Sequence, residues 1–267
     1  MTQPVIPLNP RNGWLGWWPD GGVRALLDPE NGRIRAFLVE EAARLSDGAR
    51  VLDAGAGTRP FAALFARQHY ESCDMPGGFY AAKHDFECLL HAVPRPDSAY
   101  DAIVLTQVLE HVPDPCAVLK ELHRVLKPGG VVLASLPLNG PLHGEPWHFF
   151  QFTHYGLEQL ALATGLEVLR CEKIGGAFWF LGKHAADTPR RVMKQMDPFR
   201  ARRRGQSVAA CVAGTLLFLP FWLLSLLLMS VIARPLCYWL DRLDGPKALT
   251  SGYTVVFRKP LAAESNR

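Results

Sequence analysis

What most limits the fold is a rhythm that runs from the N-terminal region to Ile174: short apolar runs alternate with segments whose apolar positions recur at helical spacing. Ile34, Phe37, Leu38, Ala42 and Leu45 mark one helix, with Asn31 placed to cap its start. A strand over Arg50–Ala54 then breaks into Gly55-Ala56-Gly57-Thr58, and Pro60 suits the first turn of a helix over Phe61–Gln68. Further strands are predicted to end near Asp74 and near Asp85, and another covers Asp101–Thr106. The helix Pro115–Leu126, the strand Gly130–Leu136, a loop rich in Pro, Gly and His, the helix Tyr155–Thr164 and the strand Leu166–Ile174 follow. Strands alternating with helices predict a doubly wound α/β fold, a mostly parallel sheet with helices on both faces. The chain has 267 residues, 49% of them hydrophobic, which suits one core with additions and excludes a disordered or collagen-like polymer.

The first turn carries the chemistry. Asp53 closes its strand, and Gly55 and Gly57 let the backbone approach a ligand closely. The pattern is not the dinucleotide fingerprint G-x-G-x-x-G/A, because Pro60 occupies the third glycine position. A carboxylate ahead of the glycines repels pyrophosphate and suits an ammonium group. Asp74 follows Asp53 at close to the roughly 20-residue offset at which a strand-end carboxylate takes ribose hydroxyls. Asp85 and Phe86 combine an acceptor for an exocyclic amine with an aromatic face for a base. Together these residues suggest an adenosine.

Three ordered segments then carry a resemblance: Val51 to Thr58, Asp101 to Val112 with its Leu109-Glu110-His111, and Val125-Leu126-Lys127-Pro128-Gly129-Gly130. Over about residues 45 to 180 the sequence resembles class I S-adenosylmethionine-dependent methyltransferases, the type 11-like group with the Leu-Glu-His motif. The resemblance implies a seven-stranded Rossmann-like sheet whose last strand is Gly252–Lys259. It also implies a cofactor site for S-adenosylmethionine: methionine moiety near Gly55 and Gly57, ribose at Asp74, adenine near Asp85 and Phe86, and Thr106 and Gln107 closing the pocket. Three positions depart from the family. Arg59 replaces the usual glycine after Thr58, and His148 and Gln151 stand where Asp and Arg are common.

Histidine titrates near neutral pH and can take a hydroxyl proton as a methyl group moves, so His143 and His148 are the first candidates for a catalytic base. His111 is the third; in the family the Glu110-His111 pair more often orients a loop and a helix start. His143, Glu145, His148 and His154 match neither His-Glu-x-x-His nor a zinc knuckle, so no metal is expected. Trp14, Trp17 and Trp18 either cover the substrate mouth, meet a membrane interface or pack on the domain.

Beyond Ile174 the composition changes. Arginines and lysines crowd residues 188–204, and from Gly205 to Ala233 there is no charged residue. About 20 apolar residues suffice to cross a bilayer. A single crossing, however, would strand the last β-strand on the wrong side of its sheet. Pro220 divides the stretch, which predicts a monotopic helical hairpin around 205–240 with Pro220 near its tip and the basic run against anionic headgroups; a proline-kinked transmembrane helix and a buried helical pair or oligomer interface are the alternatives. The domain plan is thus 1–187 plus 250–260 for the catalytic domain and 188–249 for the insertion. The polar start Met1–Asn12 and the scattered cysteines predict a cytoplasmic setting, at the membrane face. A net charge of +4, with the basic residues beside an apolar run, argues against nucleic acid. The expected function is methyl transfer, by O-methylation, to a small-molecule or lipid-linked acceptor at the membrane surface. Two other readings stand beside it: a soluble-substrate enzyme whose insertion dimerises, and a non-catalytic subunit that anchors or activates a partner.

Overall fold

The computed structural model describes residues 29–77, 82–195, 205 and 207–261. Trp14, Trp17 and Trp18, and the arginines Arg200, Arg202, Arg203 and Arg204, lie outside the described residues. The chain forms two compact units, one made of residues up to Ile174 together with those from Gly252 onward, the other Gly175–Ser251.

In the first unit, α1 (Pro29–Ala42) precedes β1 (Arg50–Ala54), β2 (His69–Asp74), β3 (Phe86–Glu87) and β4 (Tyr100–Thr106). Next come α2 (Pro115–Val125), β5 (Leu126–Pro137), α3 (His154–Thr164) and β6 (Glu167–Ile174), and β7 (Gly252–Arg258) completes the sheet. Strand order is β3-β2-β1-β4-β5-β7-β6; the first five are parallel, and β7 pairs antiparallel with both β5 and β6. Order reverses between β1 and β4, the kind of switch point whose crevice takes ligands in open α/β sheets.

Local chemistry explains the elements. The central strands are apolar runs buried on both faces, as Val51, Leu52, Ile103, Val104 and Leu105 show. Helix α2 begins on Asp114, whose side chain accepts from Ala117 N at 2.9 Å, with Pro115 just inside, and it buries Val118, Leu119, Leu122 and Val125. Helix α3 begins on Thr153 and stops at Gly165, which takes the left-handed φ of +74° that such a stop favours.

Two local expectations change. The helix predicted over Phe61–Gln68 is only a 3-10 turn at Ala62–Phe65. Asp85 precedes β3 rather than ending a strand, because only Phe86 and Glu87 pair with β2.

The second unit is a helical hairpin. Helix α4 (Ala177–Gln195) forms one arm; the other is α5 (Val208–Leu227), a wider π turn (Leu228–Ala233) and α6 (Arg234–Leu240) in unbroken succession. The arms run antiparallel. Trp179 packs on Tyr238 with ring centroids 4.8 Å apart, a Cβ on Gly182 would meet Cys237 Cβ at 2.7 Å, and Trp222 Nε1 donates to Pro189 O at 2.6 Å. Asp241, buried, ties the base of the hairpin: it accepts from Gly176 N at 3.0 Å and Trp179 N at 2.9 Å, while Asp244 accepts from Ala177 N at 2.7 Å. These bonds satisfy the free N–H groups at the start of α4.

The hairpin predicted around 205–240 with Pro220 at its tip is therefore corrected: Pro220 lies inside α5, and the two described arms are α4 and the run from α5 to α6. A proline costs a helix about 3 kcal/mol and a kink. Leu219-Pro220-Phe221 offers no turn chemistry to compensate a full reversal, so the helix carries through. The division between units also moves from 188 to Gly175, because α4 packs along the second arm.

Candidate active site

The site grows from the turn after β1. Gly55 and Gly57 take φ of +77° and +54°, and Gly55 N and Ala56 N donate to Cys73 O at 2.9 and 3.0 Å, which pins the turn to the end of β2. Gly55 faces the loop after β4 so closely that a Cβ would lie 2.7 Å from Val108 Cγ2. Asp53 is 2% exposed and accepts from Tyr70 OH at 2.5 Å; burial pushes its carboxyl up to about 6 against the lowering effect of that bond. Asp74 Oδ2 accepts from Gly57 N at 2.8 Å and Oδ1 from Met75 N at 2.7 Å, so the second strand-end carboxylate sits on the glycine turn.

The other sequence-predicted residues have definite places. Asp85 Oδ2 takes both Ser72 N and Ser72 Oγ at 2.8 Å, bracing the approach to β3. Phe86 lies under the Arg95 guanidinium, 3.8 Å from ring centroid to Cζ. Thr106 ends β4 opposite Ser135, and Gln107 follows with φ of +53°, its Nε2 donating to Ser135 Oγ at 3.3 Å. Such a φ on a residue other than glycine costs about 1–3 kcal/mol and clusters at ligand sites.

The three candidate histidines converge, although 31 or more residues of sequence separate His111 from the other two. Ring centroids stand 4.7 Å apart for His111 and His143, 5.5 Å for His111 and His148, and 4.4 Å for His143 and His148. His111 Nδ1 is 2.6 Å from Trp147 O and His143 Nδ1 is 3.2 Å from Pro141 O; carbonyls only accept, so each Nδ1 donates, and the two Nε2 atoms lie at hydrogen-bond distance, 3.1 Å apart. His148 has the other tautomer, Nδ1 accepting from His143 N and Nε2 donating to Phe150 O, both at 3.2 Å. With both nitrogens used in its own loop, His148 positions His143 rather than offering a base. Beside the trio Glu110 is fully buried without a hydrogen-bond partner, and burial pushes its carboxyl up to about 8. Burial, with smaller contributions from the two neighbouring imidazoles, lowers the His111 ring below its ordinary value.

Comparison with known proteins decides the family. A family model described as a methyltransferase domain matches residues 28–170, more than half of the chain. The chain belongs to this methyltransferase family. Among curated relatives, a ubiquinone biosynthesis O-methyltransferase of Xylella fastidiosa is 34% identical over 137 residues, covering 45% of this chain and 54% of its own length. A ubiquinone/menaquinone biosynthesis C-methyltransferase of Desulfotalea psychrophila is 33% identical over 145 residues, 48% of this chain and 57% of its own. The chain thus spans about half the length of the curated relatives it matches. Among solved structures, the [4+2]-cyclase SpnF superposes with a TM-score of 0.51 at 21% identity, covering 87% of this chain and 82% of the other, a likeness of fold.

The methyltransferase domain's cofactor is S-adenosylmethionine, and the residues present fit it. The turn lies at the β1/β4 switch point, both glycines are in left-handed conformation, and a strand-end carboxylate reaches the turn at Asp74. Sequence reading flagged Arg59 only as a departure from the family and missed Tyr70 and Val108. Arg59 adopts φ of +60°, the conformation for which the family's usual glycine is suited, and its guanidinium lies 5.4 Å over the Tyr70 ring. Tyr70 holds Asp53, and Val108 closes on Gly55. A strained position occupied by a residue other than glycine was the available signal at Arg59; Tyr70 and Val108 left none.

Proposed function

We propose that this methyltransferase domain transfers a methyl group from S-adenosylmethionine to a hydroxyl of an amphiphilic acceptor at a membrane surface. The observation that carries the reading is the junction at the switch point, where the glycine turn packs on Val108 and the chain continues directly to Glu110 and His111. When bound, the cofactor supplies a methyl on a sulfonium that is already activated toward a nucleophile. Asp74 is assigned to the ribose hydroxyls and Gly55 and Gly57 to the methionine moiety, with Asp53 held buried behind the turn and ionised near neutral pH. Asp85 and Phe86 are assigned to the adenine side, and Thr106 and Gln107 to the floor after β4. Activation of the acceptor hydroxyl falls to the His111 and His143 imidazoles, whose Nε2 atoms face each other at 3.1 Å. Most of the rate then comes from holding the reactants in attack geometry.

The membrane part of the reading rests on the second arm. Within Val212–Leu243 the most apolar 18-residue window has a mean hydropathy of 2.5 and none of it is buried, and Leu217 and Phe221 are 74% and 73% exposed. Apolar residues all round a helix suit a lipid environment. The first arm carries Lys183, Asp187, Arg190, Arg191 and Lys194, so the hairpin is assigned to the interface, with basic residues toward headgroups on the cytoplasmic side and the apolar arm in the acyl boundary. Two of the relatives are named for quinone biosynthesis, which supports a lipid-like acceptor. The same exposed arm also suits a second copy of the chain, which sizing by light scattering in detergent separates from lipid binding.

The test uses full-length protein on anionic vesicles with methyl-labelled S-adenosylmethionine and a prenylated catechol. Label is expected in the organic phase with the free catechol and not with its doubly O-capped form. Cofactor binding without transfer overturns the acceptor class; no cofactor binding by calorimetry overturns the methyltransferase reading.

A further inference from the structure

We propose that Glu110, His111 and His143 form a binding site for one divalent cation of the Zn2+ class. The argument begins with Glu110. Its side chain is fully buried and neither carboxyl oxygen has a hydrogen-bond partner, an arrangement that costs free energy unless a ligand satisfies it. Glu110 Oε1 lies 4.0 Å from His111 Nε2, and His111 Nε2 lies 3.1 Å from His143 Nε2. All three ligand atoms fall within 4.8 Å of one another.

The imidazoles point to a metal independently. Each sets its Nδ1 against a carbonyl, Trp147 O for His111 and Pro141 O for His143, which turns the two Nε2 atoms toward each other at 3.1 Å. A cation between those nitrogens would be bound by both. Donation of the second ring N–H to a backbone carbonyl is also how metal-ligating histidines are normally oriented. Tetrahedral ligands at Zn2+ distances stand about 3.3 Å apart; the two imidazoles already match that spacing, and Glu110 Oε1, 4.0 Å from His111 Nε2, would close in to join them. Two imidazoles and one carboxylate favour Zn2+, Co2+ or Mn2+ over Mg2+ and Ca2+, which take oxygen ligands. Glu110 forms the buried wall and His143 the exposed one, so the fourth position opens toward solvent.

This departs from the expectation of no metal, because Glu110 and His111 come from the loop after β4 and His143 from the loop after β5, a combination that no spacing motif encodes. Its use rests on the methyltransferase reading: an acceptor hydroxyl bound at the open position loses its proton more readily, and His111 and His143 act through the cation instead of as free bases. The cation-binding claim itself does not need that reading.

The test titrates Co2+ alone, then Zn2+ in competition, into chelator-stripped full-length protein, following the visible bands of four-coordinate Co2+ and metal content after dialysis. One Co2+ per chain is expected, displaced by Zn2+. His143→Ala, on an exposed loop, should weaken binding at least about tenfold with an unchanged melting profile, while His91→Ala, an exposed histidine elsewhere, should not. Glu110→Gln should weaken it as well. Absence of Co2+ uptake, or uptake unaffected by His143→Ala, overturns the proposal. Since the readout is metal occupancy, its failure is distinct from failure to bind cofactor or to transfer a methyl group.

Discussion

Replacing Gly55 with alanine probes the junction on which the site is built. The residue has φ of +77°, and left-handed backbone costs an ordinary residue about 1–2 kcal/mol. The new Cβ would also stand 2.7 Å from Val108 Cγ2 and 3.0 Å from Val108 Cγ1, contacts that force a shift. Overpacking of this kind costs about 1–3 kcal/mol. Gly55→Ala should therefore destabilise the fold by about 2–5 kcal/mol and lower Tm by roughly 5–15 °C. The two causes separate in a double-mutant cycle. Val108 packs against the core, so Val108→Ala alone destabilises, but combined with Gly55→Ala it removes the crowding. Urea unfolding of the four proteins should give a favourable coupling of about 1–3 kcal/mol, with the φ cost left over. Additive effects within about 0.5 kcal/mol would refute the close approach of the two loops.

Asp53 ought to make stability depend on pH. Its carboxyl is raised from 3.8 to about 6, so its contribution is fully present below 3.8 and is lost as pH rises through 6. Asp53→Asn, which can still accept from Tyr70 OH, should gain about 2–3 kcal/mol over wild type above pH 6 and nothing at pH 3, measured by urea unfolding; a pH-independent difference would contradict the burial argument. Asp74→Asn should weaken S-adenosylmethionine binding at least about tenfold in calorimetry, as expected when a charged hydrogen-bond acceptor is lost; unchanged affinity would remove Asp74 from the ribose role. Asp241→Ala leaves Lys247, 2.8 Å away, and the first N–H groups of α4 without their partner, a loss of about 3–5 kcal/mol for a buried ionic group. Hydrogen exchange should speed up over Gly176–Trp179 while β4 and β5 amides stay protected; equal protection in both proteins would exclude the capping role. Leu217→Glu with Phe221→Glu should abolish co-sedimentation with anionic vesicles, and retained binding would remove the apolar arm from the membrane contact.

The strand–turn–helix order was legible in the sequence because its signals are local. Continuous apolar runs mark strands buried on both faces, Asp114 and Thr153 mark helix starts, and Gly55, Gly57 and Gly165 stand where the backbone needs positive φ. Such constraints act within a few residues, so composition and spacing express them. For the same reason Asp53, Asp74 and the glycines could be singled out, and the family resemblance followed. The local signals gave way where distance or packing decided. The crossover after the glycine turn shortened to a 3-10 turn because β2 had to begin alongside β1, and Pro220 stayed helical because the hairpin partner is α4, which its sequence did not announce.

The sequence by itself determined which residues carry charge, lone pairs and conformational freedom, and therefore the parallel sheet, the glycine turn and the three histidines as candidates. Only the tertiary structure decided that His111 and His143 turn their Nε2 atoms toward each other beside a buried Glu110 while His148 is spent on its own loop. That outcome depends on carbonyls at Pro141 and Trp147, which assign the ring protons. Backbone carbonyls are present at every residue, so no residue type signals them, and their direction exists only once the loops after β4 and β5 have folded against each other.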